Sequence, residues 1–503
     1  MSSYNGIGGI PNAENAFLLK DVLRDEWGFQ GFVVPDSGAV ELLVTAHRKY
    51  KTIEEAAAKT ILAGSDLDNG TYALVLPGAL AEGLLTENDI DRALRRVLTA
   101  RFALGEFDPP SMVPYSKLGP EVIDSEQHRE LARKLAQESI VLLTNRDNFL
   151  PLNKSKFKTI AVIGPFADYA QTGPNYTGLY SRFVKPLQGI ENKVGTGTNV
   201  LYARGSGIME SDNPEAGYTE AESTAAKADM AILFVGINQM LEREAIDREY
   251  LNLPPVQAQL VRRVLKANPK TVIVLVNGGP VSLAPPRFAS DTQTEEAPAV
   301  LDMFWAGEEG GNAIADVLFG DYNPGAKLPY TVYRSDRELP PMTEYDITKG
   351  FTYMYFDGKP LYAFGHGLSY TNFSYGNLEI ASDERPGKGS FMVKADVENT
   401  GERPGDEVVQ LYAHAVNPAV TRPRQQLVGF ERISLKPGEK RTVEFRVPVE
   451  RLSYWDTGKQ KFVVAPGAFD IMVGCASDDP RLKGRLRVTS PGQWPPGSER
   501  TSD

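Results

Sequence analysis

Cysteine is almost absent: the 503-residue chain holds one, Cys475, beside four histidines, His47, His128, His366 and His414. A lone thiol excludes an internal disulfide framework and any cysteine-built zinc site, and four scattered imidazoles leave little for a histidine-built one. Basic clusters are missing too. Lys and Arg total 54 against 65 Asp and Glu, a net charge of −11, so the clustered cations that nucleic acid or an anionic membrane requires are not there. No apolar run is long enough to span a bilayer. The opening "MSSYNGIGGIPNAEN" has neither the basic n-region nor the apolar h-region of a signal peptide. The strand ends "VIGPFAD" and "VNGGP" lack GxGxxG spacing. "SDLDNG" starts like a calcium loop, but Gly70 comes too early and no Glu follows in place. No cofactor and no metal are expected.

Three periodicities are present. Up to about Pro110, helical and apolar stretches alternate. "FLLKDVLRDEW" sets Phe17, Leu18, Val22 and Leu23 on one helical face, and "GFQGFVVPDSGAV" reads as a buried strand ending at Asp36. "TIEEAAAKTILAG" opens with Thr52 and Glu55 in capping-box spacing and closes on Gly64, and "TENDIDRALRRVLTARFALG" opens with Thr86 and Asp89. From 136 to 345, "KTIAVIGPFAD", "ADMAILFVG" and "KTVIVLVNGGP" predict buried strands. A helix lies between the last two, with Val256, Leu260, Val261, Val264 and Leu265 on its apolar face. That βαβ pattern predicts parallel strands covered by helices. From 375 to 490 the period becomes two: "RTVEFRV" turns Val443, Phe445 and Val447 inward, "AFDIMVG" does the same with Phe469, Ile471 and Val473, and "KPGEK" is a turn. Short alternating strands predict a β-sandwich. The tail 491–503, "PGQWPPGSERTSD", is expected to be loosely ordered.

Two acidic features stand at predicted strand ends, where α/β proteins open their crevices. Asp36 is one, although a turn or N-cap aspartate is the commoner role for a single Asp beside Gly. The second is the loop "INQMLEREAIDREYLNLP", far longer than the roughly 2–6 residues usual between a strand and a helix. It carries Glu242, Glu244, Asp247, Arg248 and Glu249. Acids set among arginines can have their pKa values driven apart, as an acid and nucleophile pair requires, and a solvated charged loop is the plainer alternative. Two carboxylates without cysteine, metal cluster or P-loop suggest glycoside cleavage. Glu308 and Glu309 in "WAGEEGGNA" precede a helix and are expected to serve its dipole.

The stretch "SYNGIGGIPNAENAFLLKDVLRDEWGFQGFVVPDSGAV" resembles glycoside hydrolase family 3, the β-glucosidases and β-xylosidases. The likeness continues, in order, through "AGSDLDNG", "LTENDIDRALRRVLTARFALGEFD", "SIVLLTN", "EREAIDREYLNLP", "GGNAIADVLFGDYNPGAKLP" and "YAFGHGLSYTNFSY". It implies an α/β multi-domain chain. Residues 1–110 would be the last strands of a (β/α)8 barrel, 136–345 an α/β sandwich and 375–490 a fibronectin type III-like β-sandwich, with linkers at 111–135 and 346–374. By position, Asp36 matches the nucleophile and Glu244 the acid/base, with Glu242 as runner-up. Tyr4 matches a tyrosine that hydrogen-bonds the nucleophile and helps bind substrate. Pro35 and Ser37 flank the acid where relatives carry a serine and often a tryptophan, and Ala245 replaces the glycine of a Glu-Gly-x-Asp-Arg pattern. "SDLDNG" falls on the eighth barrel strand.

The resemblance implies a retaining exo-β-glycosidase releasing terminal β-D-glucosyl residues, with β-D-xylosyl as second choice, from oligosaccharides or aryl and alkyl β-glycosides. It implies no nucleic-acid or membrane partner. The family's setting is secreted or periplasmic, and the compartment stays open. A whole barrel takes about 250 residues, whereas residues 1–110 hold material for strands six to eight only. The part unaccounted for is where relatives keep the Lys, His, Arg and Asp that grip the sugar. A chain truncated at its start is therefore expected, with weak or no activity alone. Its open strand edge would be mobile or covered by a second copy in a homo-oligomer. The alternative is a non-catalytic carbohydrate-binding or interaction remnant.

Overall fold

The computed structural model describes residues 1–170, 182–284, 297–382, 389–489 and 492–494. The chain divides into two compact units, one from Met1 to Val122 and one from Ile123 onward.

In the first unit a short hairpin pairs Gly6–Ile7 with Ile10–Pro11. Helices follow at Ala39–Thr45, Ile53–Ala63, Thr71–Ala81 and Glu87–Ala103. The Thr52 side chain accepts from the Glu55 backbone N–H at 3.2 Å, and Thr86 and Asp89 form a full capping box. These caps satisfy donors that the first helical turn leaves open. Val40, Leu43, Ala57, Ile61, Tyr72 and Ala79 form the shared core.

Three expectations need correction here. Phe17–Glu26 is helical, but as a wide π-helix, and it buries Leu19 while Phe17 is 62% exposed. The apolar run before Asp36 forms no ladder: its one β-bridge is parallel, Ser2 with Pro35. "SDLDNG" likewise forms no strand. Helix Thr71–Ala81, with Pro77 inside it, was not foreseen.

In the second unit six strands form one sheet: β1 (Val141–Asn145), β2 (Thr159–Ile163), β3 (Asn199–Ala203), β4 (Met230–Gly236), β5 (Thr271–Val276) and β6 (Ala299–Asp302). Their order is β1-β6-β5-β4-β2-β3, parallel except for β1 against β6. In β4, Ala231, Leu233 and Val235 face a core shared with helices Pro214–Ala226 and Pro255–Ala267. Met230, Ile232 and Phe234 face the other core, with Pro186–Val194 and Gly310–Phe319. Burial on both faces is why these strands read as unbroken apolar runs. On helix Pro255–Ala267 the buried set is Gln257, Leu260, Val261, Val264 and Leu265, with Val256 only half-buried.

Beyond this layer two antiparallel sheets pack face to face. One joins Phe373–Ser382, Ser390–Asn399 and Lys440–Pro448, and the other joins Gln426–Leu435, Gly405–Ala415, Gly467–Ala476 and Asp479–Val488. Val443, Phe445 and Val447 point into the core with Phe469, Ile471 and Val473, as their alternation predicts. In the tail, Gly492–Trp494 pairs with Lys461–Val464, and the rest of 491–503 lies outside the described residues. Among the described residues no helix is long and apolar enough to cross a membrane.

Candidate active site

Asp36 is held by backbone hydrogen bonds on both sides of its chain segment. The Ser2 N–H donates to the Val34 carbonyl at 3.0 Å, and the Asp36 N–H donates to the Ser2 carbonyl at 2.8 Å. On the opposite edge the Asp66 and Leu67 N–H groups donate to the Val33 carbonyl at 2.7 and 3.2 Å. Three extended segments thus lie side by side although no ladder runs through them.

Asp66 secures the arrangement. Its carboxylate is 1% exposed, accepts from the Val33 N–H at 2.9 Å, and pairs with Arg24 at 2.6 Å and Arg96 at 2.7 Å. A buried charge satisfied by two guanidiniums and a backbone donor is one a core can hold. Asp36 itself is half-buried and accepts from the Ser37 N–H at 2.8 Å. Ser37 is fixed twice. Tyr4 donates its hydroxyl proton to the Ser37 carbonyl at 2.6 Å, and the Asn69 amide donates to the Ser37 hydroxyl at 2.5 Å. Tyr4 therefore anchors the peptide directly after Asp36. Asn69, passed over in "SDLDNG", has a similar position, and its sequence signal was only that of a turn.

The acidic loop of the second unit leaves β4 at Gly236. Gln257, fully buried, closes that strand end: its side-chain oxygen accepts from the Gly236 N–H at 2.8 Å. Its amide donates to the Gly236 carbonyl at 2.9 Å and the Ile208 carbonyl at 2.7 Å. In the loop, Arg243 and Ile246 exchange both backbone hydrogen bonds, at 3.1 and 3.0 Å. Glu244 and Ala245 sit at the tip of that turn, and Ala245 takes φ +63°, the left-handed third position that a type II turn requires.

The two candidate glutamates are in different situations. Glu244 is exposed at the tip. Glu242 is 25% exposed and accepts from Arg248 Nε at 2.5 Å. Arg248, 10% exposed, also donates to the Pro280 carbonyl at 2.8 Å. A Cβ on Gly279 would lie 2.8 Å from the Glu242 carboxylate, and one on Gly278 would lie 2.8 Å from the Trp305 ring. The glycine pair of "VNGGP" is thus there for close approach, and Glu242 is packed as a structural ion pair.

At the end of β6 stands an acid that sequence reasoning did not single out. Asp302 is 2% exposed, and burial pushes its carboxyl up to about 6. Its sequence signal was an apolar run, "APAVLD", finishing on a carboxylate, the same signal that marked Asp36. Glu309 stands at the N-cap position of helix Gly310–Phe319, but its carboxylate accepts from the Asn312 side-chain amide at 2.7 Å and pairs with Arg129 rather than bonding the helix N–H groups. Burial, with the neighbouring Asp124 carboxylate, raises the Glu308 pKa.

Residues 1–100 match the glycosyl hydrolase family 3 N-terminal domain, 140–370 its C-terminal domain and 407–477 the fibronectin type III-like domain. A β-xylosidase from Formosa agariphila is 36% identical across 96% of this chain and 68% of its own. The chain belongs to glycosyl hydrolase family 3. A periplasmic β-glucosidase from Salmonella typhimurium is 37% identical across 96% of this chain and 66% of its own, so the chain spans about two thirds of such relatives. Among solved structures, a β-glucosidase from Erythrobacter marinus superposes with a TM-score of 0.84 at 35% identity, covering 96% of this chain and 67% of that one. A family 3 exo-β-xylosidase, in complex with a xylobiose aziridine probe, gives 0.87 at 28% identity, covering 100% and 68%. The multi-domain α/β fold of the family with a C-terminal fibronectin-like β-sandwich is thereby established for this member.

Proposed function

We propose that this family 3 member is a retaining exo-β-glycosidase acting by double displacement on terminal β-D-glucosyl residues, with β-D-xylosyl residues as second choice. Oligosaccharides and aryl or alkyl β-glycosides are its substrates. The observation that carries the proposal is the family match in both units, each holding one of the two carboxylates at an accessible position. In the first step an Asp36 carboxylate oxygen attacks the anomeric carbon, and the bond to the leaving oxygen breaks as Glu244 gives that oxygen its proton. In the second step Glu244, now a carboxylate, takes a proton from water, whose oxygen displaces Asp36 and restores the β configuration. Tyr4 holds the Ser37 carbonyl and Asn69 the Ser37 hydroxyl, and the Ser37 N–H so placed donates to the Asp36 carboxylate. The packing of Glu242 against Arg248 and Gly279 supports Glu244 over Glu242 as the acid/base.

Residues 1–110 are read as the closing strands and helices of a barrel, 136–345 as the α/β sandwich and 375–490 as the fibronectin-like domain. Residues 1–122 hold one hairpin of two-residue strands and one isolated parallel bridge. This favours weak turnover by the 503-residue chain itself, since holding the sugar in place supplies a large part of catalysis. It is also the observation on the side of a non-catalytic carbohydrate-binding remnant.

The test is a 2-fluoro-β-glucoside inactivator followed by peptide mapping, with label expected on the peptide containing Asp36. Labelling requires one slow covalent event only, so low turnover does not hide it. Label elsewhere, or equal label on Asp36→Ala, refutes the nucleophile assignment. For the acid/base, Glu244→Ala should lose far more activity on poor leaving groups than on activated aryl glycosides, with azide restoring turnover. That signature on Glu242→Ala instead would transfer the role.

A further inference from the structure

The carboxyl of Asp302 lies where three pieces of the acidic loop's support meet. Its Oδ1 accepts from the Phe304 N–H at 3.0 Å, and its Oδ2 accepts from the Asn277 amide at 3.2 Å and the Tyr330 hydroxyl at 3.3 Å. Asn277 precedes Gly278 and Gly279, the two residues pressed against Trp305 and the Glu242 carboxylate. Phe304 is held at φ +51°, and after it Trp305 donates its indole N–H to the Ile237 carbonyl at 3.1 Å, at the loop's first residue. Tyr330 feels Glu242 and Arg248 across the same space.

We propose that Asp302 is a positioning residue for the acid/base: from the end of β6 it fixes, through Asn277, Tyr330 and Phe304, the floor on which the loop carrying Glu244 is seated. This rests on the reading of that loop given above. The bonds it makes are those of a carboxylate, which accepts from all three donors. Among the described residues the titratable group touching it is Tyr330, and its register neighbours Val141 and Leu275 carry no charge. Protonation would turn one acceptor into a donor. The Asn277 side-chain oxygen is buried and has no hydrogen-bond partner among the described residues. A turn of that amide would present the oxygen to a protonated Asp302. The floor therefore has two hydrogen-bonding arrangements, exchanged by one proton, and the ionised one seats the loop as described.

The experiment follows the full chain across about pH 5 to about pH 8. The Trp305 indole N–H resonance, assigned by its loss in Trp305→Phe, is recorded together with amide hydrogen exchange over residues 237–250. In the unsubstituted chain the indole signal should titrate with a midpoint near the Asp302 value of about 6, and protection of 237–250 should fall on the acid side after correction for intrinsic exchange. Asp302→Asn should abolish both dependences. Tyr330→Phe, which removes one donor to the carboxylate, should move the midpoint upward. The proposal is overturned by an indole that does not titrate, by a titration that survives Asp302→Asn, or by loop protection that ignores pH. None of these readouts needs turnover, so an error in the Glu244 assignment appears separately, in the leaving-group comparison.

Discussion

Ala245 and Glu242 shape the acidic loop in ways that single substitutions can separate. A left-handed backbone costs an L-residue roughly 1–2 kcal/mol and a β-branched one more. Ala245→Gly should therefore be neutral or mildly stabilising, whereas Ala245→Val should open the turn. Trypsin is the measurement, because Arg243 and Arg248 flank the tip: the Val variant should be cut there faster than the parent, and the Gly variant no faster. Glu242→Ala should cost about 1–2 kcal/mol, allowing for the partial exposure of its pair, because it strands Arg248 against the Pro280 carbonyl. Glu244→Ala, at an exposed tip, should change stability by less than about 0.5 kcal/mol. Equal losses in the two variants, read by urea unfolding, would contradict the division of roles between the glutamates.

At the scale of elements, the sheet's strand ends are held by polar side chains that replace water for the backbone. Gln257 is the clearest case, serving both the N–H and the carbonyl of Gly236. Gln257→Leu keeps the volume but takes this partner from two buried backbone groups of Gly236 and from the half-buried Ile208 carbonyl, and a loss of about 2–4 kcal/mol should follow, visible as a lower thermal midpoint. Asp302 supplies the pH dependence. Its folded pKa is raised, from 3.8 to about 6, so the folded state binds the proton more tightly than the unfolded chain. Below the unfolded value the neutral acid carries no ionisation penalty. The penalty grows as pH rises from about 4 to about 6 and is complete above, at about 3 kcal/mol. Asp302→Asn should therefore gain stability over the parent between pH 4 and pH 7, by up to that amount. A difference that does not change with pH would refute the raised value. These two residues also mark the limit of what the sequence discloses. β2, β4 and β5 are legible because both faces are buried, and Lys440–Pro448 is legible because only one is. The burial of Gln257 is not legible, since its partners are backbone groups of other elements. Asp36 and the acidic loop stand out in the sequence by their places at predicted strand ends, of which the structure forms only the one before the loop, and the same rule applied to "APAVLD" points to Asp302. The π-helix at Phe17–Glu26 and the missing ladder before Asp36 depend on tertiary packing that no local pattern records.

At the scale of the whole molecule, the two units differ in how much core they own. The first rests on one small cluster in which four of the nine buried residues are alanines, and Phe17, Trp27, Leu74, Phe102 and Leu104 are all more than half exposed. The second has a core on each face of its sheet and a third between the fibronectin-like sheets. Stability scales with apolar area removed from water, roughly 25 cal/mol per Å², so the second unit should outlast the first under protease or denaturant. Cys475 provides an independent probe of the second unit. Burial pushes its thiol up to about 11, with Lys327 and the nearby acids as smaller influences. Near neutral pH it is therefore almost wholly protonated and should react slowly with iodoacetamide while the β-sandwich is folded. Limited proteolysis should first remove residues up to about 122 and leave a fragment beginning near Ile123. In that fragment Cys475 should stay as slow to alkylate as in the intact chain, and should become reactive only in a later, cooperative transition. Early exposure of Cys475, in step with cleavage before residue 122, would mean that the second unit does not hold its fold without the first.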